Sequence, residues 1–573
     1  MGSDTRPRLA LLFLLFILTF LWTVNTGKVG LWEPTEARYA DIAWGMVATG
    51  DWWTPQQNYL VHFDKPAPAY WPPAAALRIL GKRAWVPRIS SLLLALLCVS
   101  LTYFWGRRLW GATGGLWAAL ILGTTLFYSA SARVVSTDLP LCAAVILGQW
   151  AAWEILASGA GSHVELKKWP RLFWLSLGVG FAVKGPVALL LILLPALVFK
   201  AAARMEAGGR LRDFRWKEGI LIFCCTGLPW YLSVCWRHPG LLMDLVHNHT
   251  LRRFFTTAHH REGPFYYYIN ILAGGFFPWI VVLGTAIAGD IRSAFKRDAG
   301  SHWALWCFST WVPAFLIFSI SGSKLPAYIL PLFPIWSLQA AGFLIPGGSG
   351  PDNRREISGL VFGTGLLLAL AGGFGMIFLK APSMSSYLEE SVRRQASIGA
   401  GLLIMGGLIL FWLIRPPLRT TLRWLLVTAA AWSAASTVFA LQLPAASAGF
   451  GAIRKIGETA AAYTKDRPGS KCAAYRCFPG SLPFYTDSPL ITVGVDRTET
   501  YQNADLYRSL VLPRTANLDS LISAGAGLWI VKAHNAAEWK ARLHSIPLEI
   551  GSEGAWKLYS ISDTPSRSED CSN

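Results

Sequence analysis

Side chains able to move a proton or hold a phosphate are sparse in this chain and gather in a few places. The richest stretch is Glu33-Pro34-Thr35-Glu36-Ala-Arg38-Tyr39-Ala40-Asp41-Ile42-Ala43. Pro34 suits a first helical turn. Glu33 before it and Glu36 after it resemble a capping arrangement, and Glu36, Ala40, Ala43 and Val47 fall on one helical face. The spacing predicts a short surface helix with two carboxylates at its N-terminus, which either cap the helix and complement its dipole or act as bases. In Phe63-Asp64-Lys65-Pro66 an acid and a base stand side by side between aromatics. Such a carboxylate can be a general base and such an ammonium a point charge for phosphate. A plain surface ion pair fits the same residues. Asp138, after Ser136-Thr137, caps a helix or faces a cavity. Lys184-Gly185-Pro186 and Ser321-Gly-Ser-Lys324-Leu-Pro-Ala-Tyr328 put further cations at the ends of apolar runs, where a lone lysine would simply snorkel. His247, His249, His259 and His260 are dense, but no HExxH or Cys-rich framework accompanies them. Solvation or phosphate contact explains loop histidines more often than a metal does.

The elements that must position these groups are membrane spans. The chain has 573 residues, 53% of them hydrophobic, with 28 Trp and 30 Phe. Only 15% are charged, against about 25% in soluble domains. A soluble core cannot bury that much apolar surface, whereas a bilayer can. Disordered, collagen-like and small disulfide-scaffold chains are excluded. The net charge of +19 would suit nucleic-acid binding, but its location argues otherwise. From residue 445 onward there are 14 basic and 13 acidic residues, and the other 38 basic and 20 acidic residues lie in the hydrophobic part. No nucleic-acid partner is expected.

Apolar runs long enough to cross about 30 Å of hydrocarbon lie near 9–26, 86–106, 114–132, 138–157, 172–183, 186–200, 218–236, 266–288, 303–320, 325–344, 357–379, 396–414 and 424–443, which makes 13 spans. Basic residues concentrate in alternate loops (Arg107/Arg108, Lys167/Lys168/Arg171 and Arg415/Arg419/Arg423 among them), which marks those loops as cytoplasmic. The first span, with Arg6 and Arg8 before it and no small-x-small site after it, reads as an uncleaved anchor with a cytoplasmic N-terminus. Outward loops then span 27–85 and 237–265, and the odd count puts the tail on the same outward face. The expected division is a transmembrane catalytic domain, 1–444, and a soluble α/β domain, 445–573. In the tail, strands are expected at Cys472–Arg476, Leu490–Val495, Leu528–Val531 and Trp556–Ile561, and helices at Ala452–Thr464 and Ala537–His544. Cys472 and Cys477 form either a disulfide or a free pair. There is no P-loop, no dinucleotide fingerprint and no internal repeat.

At this point the motifs match a family. Glu-Pro-x-Glu-x-Arg-Tyr-Ala-x-Ile-Ala (33–43), Gly50-Asp51-Trp52, Phe63-Asp64-Lys65-Pro66, Ser136-Thr137-Asp138, Lys184-Gly185-Pro186 and Ser323-Lys324-Leu325-Pro326-x-Tyr328 stand in the order seen in the aminoarabinose (4-amino-4-deoxy-L-arabinose) transferases of lipid A. These belong to the protein-mannosyltransferase-related GT-C glycosyltransferases. Ser481-Leu-Pro-Phe-Tyr485 resembles the family's short tail motif.

The resemblance implies a monomeric inner-membrane enzyme. It would move a sugar, with inversion, from a polyprenyl-phosphate donor to lipid A or another envelope glycan on the periplasmic face, among membrane lipids. It implies Glu36, Asp64 and Glu33 as base candidates and Asp138 as a supporting acid. Lys65, Arg38, Arg253, Lys324, Tyr328 and Lys184 would hold the donor phosphate. It leaves a divalent cation open, with His249 as its ligand, joined by Asp64; His247 is the alternative register. Two positions depart from the pattern. Thr35 stands where the family usually has Asp, and Asp64 replaces its usual Glu. Thr35 cannot be a base at neutral pH. The alternatives are a protein O-mannosyltransferase-like enzyme, a flippase or transporter of lipid-linked sugars, and a non-catalytic scaffold. A transporter would place ionisable groups at mid-membrane, often with internal repeats.

Overall fold

The structure is a computed structural model that describes residues 5–157, 165–203, 211–247, 263–296, 301–345, 453–495 and 504–561. The expected spans at 357–379, 396–414 and 424–443 lie outside the described residues, as do His249 and Arg253. Among the described residues, five helices are long and apolar enough to cross a membrane: Arg6–Thr23, Val86–Thr124, Asp138–Leu156, His302–Ile320 and Pro326–Leu344. Two bent pairs raise the number to as many as seven. The chain is a polytopic helical membrane protein.

Seven helices frame the site: α1 (Thr5–Thr23), α2 (Thr35–Thr49), α3 (Trp71–Leu80), α4 (Val86–Thr124), α5 (Leu126–Ser131), α6 (Asp138–Leu156) and α7 (Glu165–Lys184). The runs expected at 86–106 and 114–132 are the two arms of α4, which is broken at Trp110 and Gly111, where Gly111 has φ 73°. The arms fold back closely. A Cβ on Gly115 would sit 2.5 Å from the Tyr103 carbonyl oxygen, so only glycine fits there. The second arm ends at Thr124, short of the expected 132, and α5 follows as a separate turn. The runs at 172–183 and 186–200 are separate helices. The first reaches back to Glu165 as α7, and Gly185, at φ 67°, stops it after Lys184.

The expected span 266–288 is not one helix. Tyr267–Gly275 and the helix beginning at Ile280 meet at 117°, so the chain turns at Phe276–Trp279. The Gly274-Gly-Phe-Phe-Pro278 sequence carries the reason, since proline has no amide hydrogen for a continuing helix. The expected span at 218–236 is likewise two helices, Trp216–Gly227 and Pro229–Arg237, bent by 49° at another proline.

After residue 453 the chain forms a sheet with helices on both faces. Its strands are β3 (Cys472–Tyr475), β4 (Leu490–Val493), β5 (Val511–Leu512), β6 (Leu528–Lys532), β7 (Leu548–Glu553) and β8 (Trp556–Ser560). A two-residue hairpin in the first loop supplies β1 (Gln56–Gln57) and β2 (Leu60–Val61). The order is β5-β4-β3-β6-β8-β7, with β5, β4, β3 and β6 parallel and the last two strands antiparallel. Along β3, Ala473 and Tyr475 enter one core while Cys472 and Ala474 enter the other, the two-residue alternation of a strand covered on both sides. Both Cys472 and Cys477 are free thiols, and burial pushes each up to about 12. The disulfide alternative is therefore not formed. β5 and β7 were not expected. β5 is two residues long, and Leu548 on β7 is exposed at the sheet edge, so neither leaves an alternating apolar signal.

Candidate active site

The acids at the start of α2 do not cap it. The helix begins at Thr35, with Pro34 outside it and no side-chain cap. Glu36 instead turns into the protein and is buried. Its Oε1 accepts from Arg88 Nε at 2.8 Å and from the Val135 amide at 2.9 Å. Its Oε2 accepts from Arg88 Nη2 at 2.7 Å and the Trp32 amide at 2.9 Å. Arg88 spends its remaining N–H groups on the carbonyls of Thr26, Val29 and Gly30. Both oxygens of Glu36 are committed and solvent is excluded, so Glu36 ties the surrounding loops to α2.

Glu33 points the other way, into the sheet region. It accepts from the amides of Gly480 and Ser481 at 2.9 and 2.8 Å and from the Ser481 hydroxyl at 2.5 Å. Enclosure of this carboxylate pushes it up to about 7, despite the three donors that oppose the shift. The Ser481 motif and the Glu33 motif are thus one contact.

The polar groups that remain available converge between α2, the first loop and the ends of α6 and α7. Asp64 lies 3.3 Å from Lys65 Nζ and 3.9 Å from Arg38 Nη1, and each of the three side chains is mostly but not wholly buried. At the first turn of α6, Asp138 pairs with Lys184, the last residue of α7. Lys184 Nζ lies 5.8 Å from the centre of the Tyr328 ring. Tyr39 lies near both acids, and Tyr70 lies beside Tyr39 and Asp64, the two ring centres 5.8 Å apart. Burial, then Asp138 and Asp64, push the Tyr39 phenol up to about 12. Burial first, with Tyr39 and Asp64 behind it, raises Tyr70 well above the usual phenol range. Both phenols therefore stay protonated, Tyr39 near Asp138 and Asp64 and Tyr70 near Asp64. The Tyr70 hydroxyl is fully buried and has no hydrogen-bond partner among the described residues.

Lys324 bends back on its own turn. Its Nζ donates to the Ser321 carbonyl at 2.7 Å, and the side chain is buried. Thr35 is exposed at the first turn of α2. Among the described residues no three His, Cys, Asp or Glu side chains gather in a group able to hold a metal. Lys65 and Arg38, which flank Asp64, are cations and not metal ligands.

Sequence reasoning missed Arg88, Tyr70 and Asn58. Arg88 was readable as a charge two residues inside an apolar span. Asn58 had no local signal: its side chain pairs with both backbone groups of Leu490, 432 positions away, and docks β4 onto the first loop.

Residues 64–212 match the family model described as dolichyl-phosphate-mannose-protein mannosyltransferase. An undecaprenyl phosphate-α-4-amino-4-deoxy-L-arabinose arabinosyl transferase of Pseudomonas fluorescens is 30% identical over 403 residues, 68% of this chain and 68% of that one. The chain belongs to this arabinosyl transferase family. Another member, from Pseudomonas aeruginosa, is 31% identical over 342 residues, 58% of each chain. The sequence match thus spans from 58% to 68% of these relatives' length. ArnT from Cupriavidus metallidurans bound to undecaprenyl phosphate superposes with a TM-score of 0.80 at 21% identity, covering 97% of this chain and 98% of that one. The Archaeoglobus fulgidus oligosaccharyltransferase in its apo form reaches 0.53 at 9% identity, covering 94% and 71%. At such identities the likeness speaks for the fold, which is the GT-C membrane fold expected for the arabinosyl transferase family.

Proposed function

We propose that this chain is an inverting glycosyltransferase that moves a sugar, 4-amino-4-deoxy-L-arabinose, from undecaprenyl phosphate to lipid A or a related envelope glycan. The reaction takes place on the periplasmic face of the inner membrane, where the region after residue 444 also lies as a soluble domain. The observation that carries this reading is the gathering of Arg38, Asp64, Lys65, Asp138 and Lys184 around Tyr39 and Tyr70, in a chain of this family.

The chemistry follows from those groups. The departing undecaprenyl phosphate leaves as an anion, so it needs positive charge rather than an acid. Lys65, Arg38 and Lys184 supply it, and the buried Tyr70 hydroxyl is a donor without a partner among the described residues. Before the donor arrives, Asp64 accepts from Lys65 and is ion-paired with Arg38. The bound donor is a phosphodiester with one negative charge. As the bond from its oxygen to the sugar breaks, a second charge develops on the departing phosphate, draws Lys65 and Arg38 toward it, and leaves Asp64 as general base for the proton of the acceptor oxygen. Asp138 keeps Lys184 in place, and Glu36 and Glu33 hold the scaffold.

Ionisable groups at helix ends favour transfer chemistry over the transporter reading, which needs them at mid-membrane. The test is transfer of radiolabelled aminoarabinose from its undecaprenyl-phosphate donor to lipid A in proteoliposomes, read by mass spectrometry. Transfer by wild type and its loss in D64N support the reading. Absence of transfer by folded wild-type protein overturns it.

A further inference from the structure

A second cleft shares no residue with the reaction cluster. It lies where the sheet region meets the membrane helices, holds about 430 Å³, and is lined by Lys82, Arg83, Trp85, Arg454, Phe484 and Tyr485 among others. Two acids also face it, and each is already paired. Lys82 pairs with Asp487, and Arg454 pairs with Glu458 at 2.7 Å while its Nη1 donates to the Gly27 carbonyl at 2.5 Å. Arg83 is the surplus charge. It is exposed and has no ion pair among the described residues. The Lys82 ammonium lies 5.3 Å from the centre of the Phe484 ring, and Trp85 adds a second aromatic wall.

The position of the cleft restricts what can enter it. Trp85 directly precedes α4, and Gly27 lies four residues past α1, so the cleft opens at the ends of two membrane-crossing helices. Arg88, one turn into α4, grips Glu36 of α2, so this is the same end of the bundle as the reaction cluster. Ile79 and Leu80, one turn before Lys82, are 78% and 46% exposed and offer an apolar surface to lipid. A basic pocket at the headgroup level takes a lipid phosphate, and a guanidinium fork matches phosphate oxygens bidentately.

We propose that this cleft binds the phosphorylated sugar headgroup of the glycolipid acceptor, with Arg83 on the phosphate and the half-buried Trp85 against a sugar face. The Trp85 ring favours a glycolipid over an ordinary phospholipid, whose glycerol phosphate has no ring to stack. The proposal rests on the transferase reading for its choice of acceptor, but its test does not require transfer.

The full chain in nanodiscs, without donor, is titrated with lipid A carrying both phosphates, with lipid A stripped of them, and with phosphatidylglycerol, and bound lipid is counted by native mass spectrometry. The expected result is that R83E weakens the phosphorylated lipid about tenfold, as loss of one charge-assisted phosphate contact would. R83K recovers part of it, and wild type binds the stripped lipid as weakly as R83E binds the intact one. Equal binding by R83E and wild type overturns the proposal. So does displacement by phosphatidylglycerol at equal concentration, which would make the cleft a general phospholipid site. Because binding is read without chemistry, wild-type protein that binds through Arg83 yet transfers no sugar refutes the transferase reading and not this one. In the transfer assay, R83E raises the acceptor KM by the same factor and leaves the donor KM in place.

Discussion

Arg88 grips both oxygens of Glu36, at 2.8 and 2.7 Å, from 52 residues away in sequence. Through the same two side chains the loop carbonyls at Thr26, Val29 and Gly30 and the amides of Trp32 and Val135 are tied to α2. Val135 stands three residues before Asp138, so the pair sets the distance between the α2 and α6 sides of the reaction cluster. Removing one partner of a buried ion pair costs about 3–5 kcal/mol. E36Q and R88M are therefore expected to lower the thermal midpoint in detergent strongly and to reduce yield. The double change E36L/R88M should recover only part, because three carbonyls stay orphaned. A base at this position would behave differently. E36Q protein with wild-type stability and transfer reduced by about 10³ would show that Glu36 takes the proton.

Asp64 is the carboxylate left with a reason to be exposed to substrate. D64N is expected to reduce transfer by about 10²–10⁴, the usual worth of a positioned general base, with membrane insertion and melting unchanged. D64E should keep measurable activity because it retains the base and changes only its reach. K65M should raise the donor KM and also lower kcat, since its contact with the phosphate is made on binding and strengthens as the phosphate departs. Equal kcat losses in K65M and D64N, with the donor KM unchanged, would show instead that Lys65 acts on the reacting atoms.

Glu33 makes the contact with the sheet region pH-dependent. Burial raises its carboxyl from 4.5 to about 7 when docked. An acid raised on docking favours the protonated form, so the contact is strongest below about pH 4.5, weakens as pH rises toward about 7, and is constant above that. Hydrogen exchange at Gly480 and Ser481 is expected to be slower at pH 5 than at pH 8 in wild type, after correction for intrinsic rates. E33Q should remove the difference. A difference of the same size in E33Q would assign it to another group.

The sequence revealed the reaction cluster better than its supports, for a physical reason. Asp64-Lys65, Asp138 and Lys184 are visible because charge beside apolar spans is costly and therefore rare. Glu33 and Glu36 look like helix caps because their local spacing is that of caps. Their actual partners, Ser481 and Arg88, lie far along the chain, and no short-range rule reaches them. The same limit hid Asn58, whose partner is Leu490. The turn at Phe276–Trp279 was written in Gly274-Gly275 and Pro278, but hydropathy alone ran straight through it. In the tail, buried strands such as Leu528–Lys532 were legible as apolar runs, whereas the exposed edge strand Leu548–Glu553 was not.

Asp138 and Lys184 form an ion pair whose two roles can be separated. If the pair only joins α6 to α7, its sign is immaterial. If it serves chemistry, the ammonium must face the donor and the carboxylate must stay on its own side. K184M leaves Asp138 without its cation, close to Tyr39. It should lower transfer by about ten- to a hundredfold, mainly through the donor KM, as loss of one charge-assisted phosphate contact implies. The exchange D138K/K184D restores the ion pair with its charges in each other's place. It is expected to recover the thermal midpoint lost in K184M and to leave transfer as low as in the single variant, because the cation now lies on the wrong helix. Recovery of both stability and transfer would show that the pair is only a brace between helices, and that the donor phosphate is held by Lys65 and Arg38 without it.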